Sequence, residues 1–300
     1  MGSMNQGRGL FITAFACLLM VATSAACADG ADGAVVPTNL KRSAPPGLRS
    51  GAALVLDTTH SLVLYSRNAE VAMPIASITK LMTALVIMDA QQPLDEPLEI
   101  GAEDRSAGKG SRSRLVPGTR LTRGDLMHLA LMASENRAAH ALGRAYPGGL
   151  AACVSAMNAR ARALGMTSAH FVEPTGLSDE NVASPEDLSK LVMAAAQVPE
   201  ISEYSTDRGY VVRVGRRMLR FGTTDSLVTR PDWKIQVQKT GYISEAGRCL
   251  VMQTVIQDRT VVIVLLNSYG KRTRVADARR IRKWMEAKLT LLAAPEATST

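Results

Sequence analysis

Cysteine, proline and aromatic residues are all scarce in this chain of 300 residues: Cys is 4, Pro is 13, and Phe, Trp and Tyr together make up 4%. Four cysteines cannot staple a chain of this length, so the fold must rest on a buried core, and 46% hydrophobic residues are enough to build one. With Gly at 23 and Pro at 13, a collagen-like repeat is excluded. Charge of one sign is not dominant either. Lys plus Arg is 35 against 27 for Asp plus Glu, a net +8 that, with so much apolar content, excludes a disordered chain. The surplus could suggest nucleic acid, but there is no basic stripe interleaved with aromatics and no binding motif of that class, so no nucleic-acid partner is expected. A mildly basic surface fits anionic cell-wall polymers, carboxylate substrates or nothing specific. His60, His128, His140 and His170 are scattered, with no zinc spacing, and read as surface or core histidines; no metal or other cofactor is expected. No pair of carboxylates stands out for acid–base work, and there is no internal repeat.

Long apolar runs are also missing, with one exception at the start. Leu10–Val21 is a compact uncharged stretch behind a short segment carrying Arg8, and small residues follow to Ala26-Cys27-Ala28. That three-part pattern predicts a secretory signal over residues 1–28, cleaved after Ala28, and hence an exported, periplasmic protein. Retention as an anchor is the alternative; otherwise a soluble or weakly membrane-associated protein is expected, and lipid attachment at Cys27 fits less well because Ser24 stands where Leu is usual. Cleavage leaves Cys153 and Cys249, read as two separate buried small hydrophobes, although a disulfide cannot be deduced from sequence.

Asp29–Ser50, rich in Gly, Pro, Ala and Ser, reads as a flexible linker; residues 51–292 read as one catalytic domain and 293–300 as a disordered tail. Ala52–Asp57 and Ser61–Ser66 read as a hairpin, and Ser77–Ala90 as a helix with Ile78, Leu81, Met82, Leu85 and Met88 at helical spacing. Glu99–Thr119 is loop-like. Arg123–Ala133, Asn136–Ala145 and Gly149–Leu164 are helical, with Met127 and Met132 as core filling. Ser184-Pro185-Glu186-Asp187 opens another helix, with Ser184 as N-cap and Asp187 at the far end of a capping box. After Pro199 the chain turns to strands: Tyr210–Val214, Arg217–Phe221, Lys234–Lys239, Cys249–Gln257 and Thr260–Leu266. Val275–Leu289 is a closing amphipathic helix. The expected class is α+β: the two chain ends build one antiparallel sheet flanked by helices, with a helical lobe inserted between them. A cleft between sheet edge and lobe is a natural substrate site.

A serine hydroxyl becomes a nucleophile only when a base takes its proton. Ser77-Ile78-Thr79-Lys80 puts Ser77 and Lys80 one helical turn apart on one face, at a helix start whose free N–H groups favour developing negative charge. Lys80 can serve as base only if burial or a nearby cation lowers its pKa. The spacing alone means little, since Ser106–Lys109 and Ser268–Lys271 share it; both are read as chance. Two further elements change the picture. Ser134-Glu135-Asn136 falls between two helices, where a polar trio can project into a cleft. Lys239-Thr240-Gly241 ends a strand, and Gly241 lets the backbone approach a ligand closely. Ser-x-x-Lys, Ser-Asp-Asn and Lys-Thr-Gly are the signature of penicillin-binding proteins and class A β-lactamases. Glu135 replaces the middle Asp here, and only the flanking Ser134 and Asn136 need face the substrate.

Over about Gly51–Leu289 the chain therefore resembles the serine D-alanyl-D-alanine peptidases, the low-molecular-mass penicillin-binding proteins. It is most similar to their endopeptidase branch, on Ser134-Glu-Asn-Arg-Ala-Ala139, Phe171-Val-Glu-Pro-Thr-Gly-Leu-Ser178, Gln238-Lys-Thr-Gly-Tyr242 and Ala246-Gly-Arg-Cys-Leu-Val-Met252. The resemblance implies the transpeptidase fold shared with β-lactamases. It implies Ser77 as the acylated nucleophile, Lys80 as its base, Ser134 as proton shuttle to the leaving amine, and Asn136 on a substrate amide. Lys239 would supply positive charge that helps keep Lys80 neutral and attracts a carboxylate, and Thr240 would bond the substrate. The N–H groups of Ser77 and Tyr242 would form the oxyanion hole, where one donor is worth ~3 kcal/mol. Arg274 would grip a terminal carboxylate, although a cross-link substrate is expected to offer none at that spot; a solvated Arg beside Arg272 is the other reading.

The implied partners are peptidoglycan stem peptides and, as covalent inhibitors, β-lactams; the oligomeric state is left open. The reaction expected is hydrolysis of D-Ala–diamino acid cross-links through a serine acyl-enzyme. A carboxypeptidase trimming terminal D-Ala and a non-catalytic β-lactam sensor or wall-binding protein are the alternatives. A β-lactamase is the remaining rival; the chain lacks a Glu-x-x-Leu-Asn stretch after Asn136, and Glu186-Asp-Leu-Ser is not one, so slow release of penicillin is expected.

Overall fold

Two interleaved sets of aliphatic residues decide the architecture. In the computed structural model, which describes residues 46–105 and 113–293, the strand β1 (Ser50–Asp57) alternates Ala52 and Leu54 into one core with Ala53 and Val55 into another. Successive side chains of a strand point to opposite faces, so a near-continuous apolar run marks a strand buried on both. β2 (Leu62–Arg67) turns back on β1, and a short β3 (Met73–Pro74) leads into a 3-10 turn, Ala76–Ile78, and α1 (Thr79–Asp89). A small ribbon of β4 (Pro97–Glu99) and β5 (Arg120–Thr122) precedes the helices α2 (Arg123–Met132), α3 (Asn136–Arg144) and α4 (Gly149–Ala163). Then come β6 (Val182–Ala183), which pairs with β3, followed by α5 (Pro185–Ala196) and α6 (Pro199–Thr206). β7 (Gly209–Val214) and β8 (Arg217–Gly222) form a hairpin of their own. The chain finishes with β9 (Lys234–Ile243), β10 (Gly247–Ile256), β11 (Arg259–Ser268) and α7 (Thr273–Ala293).

The main sheet runs β2-β1-β11-β10-β9, antiparallel throughout, with Val55 opposite Ile263 where the first and last strands meet. The two ends of the chain thus build one sheet around an inserted helical lobe, as the element order implied. One face, through Leu54, Val251, Val262 and Val264, packs on α5, with α1 and α2 further out in the same apolar core; the other, through Val55, Met252 and Ile263, packs on Ala278, Ile281, Trp284 and Met285 of α7. β9 is the edge strand, and it faces the lobe beside the 3-10 turn.

Several boundaries differ from the sequence reading for local reasons. The expected linker ends early: Leu48 is buried, and buried Asp277 of α7 accepts the N–H groups of Arg49 and Ser50 and the Ser50 hydroxyl, tying the first strand down. α6 begins at Pro199, in a stretch to which the sequence reading gave no element; a proline at the first helical position masked a short helix that buries Ile201. Ser184 does cap α5, but Asp187 spends its carboxylate on the backbone and hydroxyl of Ser168 instead of closing the box. The reciprocal box forms between Thr122 and Asp125 of α2. Cys153 and Cys249 are buried, unpaired thiols, pushed up by burial to about 12 and about 11. Ser268 of the second chance pattern is buried against Ser50, away from any catalytic geometry. The signal, most of the linker, the tail after Ala293 and Ser106–Lys109 lie outside the described residues.

Candidate active site

Ser77 sits in the 3-10 turn directly before α1, so it and Lys80 are one turn apart. The Lys80 ammonium is 2.9 Å from Ser77 Oγ, 2.7 Å from Asn136 Oδ1 and 2.5 Å from the Thr175 carbonyl oxygen. Lys80 is only 1% exposed and Ser77 9%. Burial pushes Lys80 down to about 8, against the opposing pull of Glu173 and Glu135. A neutral lysine has two hydrogens and one lone pair. Here two obligate acceptors, Asn136 Oδ1 and the Thr175 carbonyl, take the hydrogens, and the lone pair is left for the hydroxyl of Ser77. The arrangement therefore suits a lysine that collects the serine proton.

Opposite, Ser134 stands in the break between α2 and α3 with φ +58, a left-handed conformation that a serine adopts at a cost of about 1–3 kcal/mol. Ala76, just before the nucleophile, has φ +49. Both strained residues aim a reactive hydroxyl. Ser134 Oγ accepts a hydrogen bond of 2.9 Å from Lys239 Nζ, which also donates to the Thr240 carbonyl. Lys239 is fully buried and pushed well below the usual lysine range, first by burial, then by the charges of Lys80 and Arg274. Charge on Lys80 and charge on Lys239 therefore work against each other. Glu135 points its carboxylate at the N–H of Arg137, capping α3, and does not itself line the cleft.

Ser77, Ser134, Asn136, Thr240, Gly241, Tyr242 and Arg274 all line one cleft of about 620 Å³, with Lys80 and Lys239 buried behind them. Gly241 is required where β9 meets the nucleophile: a Cβ there would lie 2.9 Å from the Ile75 carbonyl oxygen and 3.1 Å from the Ser77 nitrogen. Arg274, in the first turn of α7, donates to the Gly241 carbonyl at 3.2 Å, and its Nε is buried without a partner. It belongs to the cleft wall, not to a solvated helix start.

Sequence reasoning missed three contributors. Thr175 offers a backbone carbonyl, which no side-chain pattern announces. Glu173 folds the loop that presents it: its carboxylate accepts the N–H groups of Thr175, Gly176 and Leu177 at 2.6, 2.6 and 2.9 Å, and the Asn181 amide at 2.8 Å. Thr224, after β8, shares a 2.6 Å hydrogen bond with Thr240. The signal for the first two was the segment Phe171–Ser178, whose Glu, Pro and Gly mark a built turn. Exposed Glu186 is outside the cleft lining.

A family model described as D-alanyl-D-alanine carboxypeptidase matches residues 39–270. The chain is similar to the D-alanyl-D-alanine endopeptidase of Pseudomonas aeruginosa, 46% identical over 261 residues covering 84% of each chain. It is also similar to that of Escherichia coli, 45% identical over 243 residues covering 80% of this chain and 78% of the relative. Among solved structures, a D-alanyl-D-alanine carboxypeptidase from Mycobacterium tuberculosis superposes with TM-score 0.75 at 26% identity, covering 86% of this chain and 97% of the other. The Streptomyces K15 DD-transpeptidase, at TM-score 0.76 and 24% identity, covers 82% and 100% and shares the fold.

Proposed function

Because the chain belongs to the D-alanyl-D-alanine carboxypeptidase family, we propose that it is an endopeptidase opening D-Ala–diamino acid cross-links in peptidoglycan through an acyl-enzyme on Ser77. The observation that carries the chemistry is the buried Lys80, with two fixed acceptors and Ser77 Oγ at 2.9 Å. Ser77 Oγ attacks the D-Ala carbonyl carbon while Lys80 takes its proton. The oxyanion forms between the N–H groups of Ser77 and Tyr242, on segments that Gly241 allows into contact. Ser134 passes a proton to the departing amine, drawing on the lysine pair, and water then attacks the ester by the reverse route. Asn136 has its amide oxygen on Lys80, so its NH₂ end is what remains for a substrate carbonyl. The free edge of β9 lets an extended stem peptide lie alongside as a further strand.

The endopeptidase reading rests on the relatives that bear that name at 45–46% identity. Arg274 favours a second reading, carboxypeptidase action on terminal D-Ala–D-Ala, since its guanidinium suits a free carboxylate beside the scissile amide. The two are compatible. A diamino acid that carries a carboxylate on the carbon bearing the acylated amine presents the same group, which removes the expectation that a cross-link has nothing for Arg274. β-Lactams, as mimics of the D-Ala–D-Ala end, acylate Ser77 and leave slowly, because Glu173, the carboxylate whose charge acts most strongly on Lys80, is committed to its own loop. Periplasmic location follows from the substrate and from the apolar segment at residues 10–21. No helix among the described residues is long and apolar enough to cross a membrane.

Incubation with defined cross-linked dimers and with pentapeptide monomers, followed by chromatography, separates the readings. Conversion of dimers to monomers is the result expected; loss of the final D-Ala alone would make the enzyme a carboxypeptidase.

A further inference from the structure

A two-stranded hairpin is marginal by itself, and the β7–β8 hairpin is held entirely from its inner face. Val212 and Phe221 are buried in the lobe, the Tyr210 hydroxyl donates to Asp125 at 2.6 Å, and the Arg114 guanidinium covers the Phe221 ring at 3.8 Å. The outer face takes no part in this. There the register sets Val211 opposite Arg220 and Arg213 opposite Met218; Arg216 lies in the turn, and Arg217, opposite Val214, projects at the hairpin's tip. All four arginines are exposed, as are Val211 at 47% and Met218 at 61%. Between residues 209 and 222 there is no Asp or Glu. Among the described residues, none of the four guanidinium groups is paired with a carboxylate. Two residues beyond the hairpin, Thr224 is in the catalytic cleft, bonded to Thr240.

We propose that this chequered face is a docking surface for uncleaved peptidoglycan, binding carboxylates and methyl groups of stem peptides next to those entering the cleft. Charge complementarity carries the assignment: an unpaired cluster of one sign, interrupted by small apolar contacts, meets a polymer whose side chains are carboxylates and methyls. Continuity with the cleft wall gives the surface its use, because a cross-linked substrate has a second strand that must be held while the first is cut. The proposal rests on the peptidoglycan reading above.

The test is co-sedimentation with insoluble peptidoglycan, using full-length protein whose cleft is blocked by prior acylation with penicillin. The variant R213Q/R216Q/R217Q/R220Q should bind about tenfold more weakly, with a flatter dependence on salt. Its rate of acylation by a fluorescent penicillin should be unchanged, which also shows that it folds. Peptidoglycan with amidated carboxylates should release the unmodified protein to the same degree. Unchanged sedimentation of the variant would overturn the proposal, leaving the arginines as guards of a free strand edge. Arginine-dependent binding to anionic lipid vesicles or to nucleic acid, without loss on peptidoglycan, would overturn it as well. Failure of the enzymatic reading shows elsewhere: wild-type protein would then neither take up penicillin nor cleave cross-links.

Discussion

Ser77 Oγ and Lys80 Nζ stand 2.9 Å apart, one helical turn from each other and both shielded from bulk water. Burial holds the lysine at about 8, so the base is largely protonated at neutral pH and fully available only above it. The rate of Ser77 acylation by a β-lactam should climb about tenfold per pH unit on the acid side and level off above pH 8. Stopped-flow acylation from pH 5 to 10 reads this directly; a flat profile would assign the proton to another group.

Glu173 acts on that base through the loop it folds. In Glu173→Gln the backbone N–H groups of Thr175, Gly176 and Leu177 lose a charged acceptor, at a cost of about 1.5–3 kcal/mol in stability. Removing the carboxylate also removes a charge that raises Lys80, so the midpoint of the acylation profile should move to lower pH while the plateau falls. A merely structural role would lower the melting temperature and leave the midpoint in place.

Gly241 is the contact between sheet and nucleophile. Gly241→Ala must push β9 away from the Ile75 carbonyl and the Ser77 nitrogen, for about 1–3 kcal/mol and a large fall in acylation rate. Gly222→Ala, whose Cβ would meet nothing closer than the Arg208 carbonyl at 3.8 Å, should stay within about 0.5 kcal/mol of wild type. Thermal melts paired with penicillin uptake separate the two.

Arg274 should act on substrate charge. Arg274→Gln is expected to lower kcat/KM by about 10–100-fold for substrates with a carboxylate beside the scissile amide. Against the same substrates with that carboxylate amidated, the variant and the wild type should differ little. Equal losses on both would make the arginine a structural support of Gly241.

The division between what was readable in advance and what was not follows the physics. The sheet was legible because both faces are buried, so Val261–Leu266 and Cys249–Met252 read as unbroken apolar runs. The convergence of Ser77, Lys80, Ser134, Asn136, Lys239 and Thr240 on one cleft was legible because side-chain chemistry at fixed spacing survives in the sequence. Thr175 was not, since it contributes a carbonyl that every residue possesses. The left-handed backbone of Ser134 and Ala76 leaves no compositional trace either, for neither is glycine. The balance between Lys80 and Lys239 depends on shared burial across residues far apart in the chain. Asp225, buried near Lys239 and Arg274 with one carboxylate oxygen unpartnered, escaped notice for the same reason.

Acylation at the serine is the most direct test. After exposure to ampicillin, intact-mass measurement and peptide mapping should find one covalent adduct, on the peptide and residue of Ser77, persisting for many minutes and missing from Ser77→Ala. An adduct on any other residue, or cross-link cleavage that survives Ser77→Ala, would contradict the account.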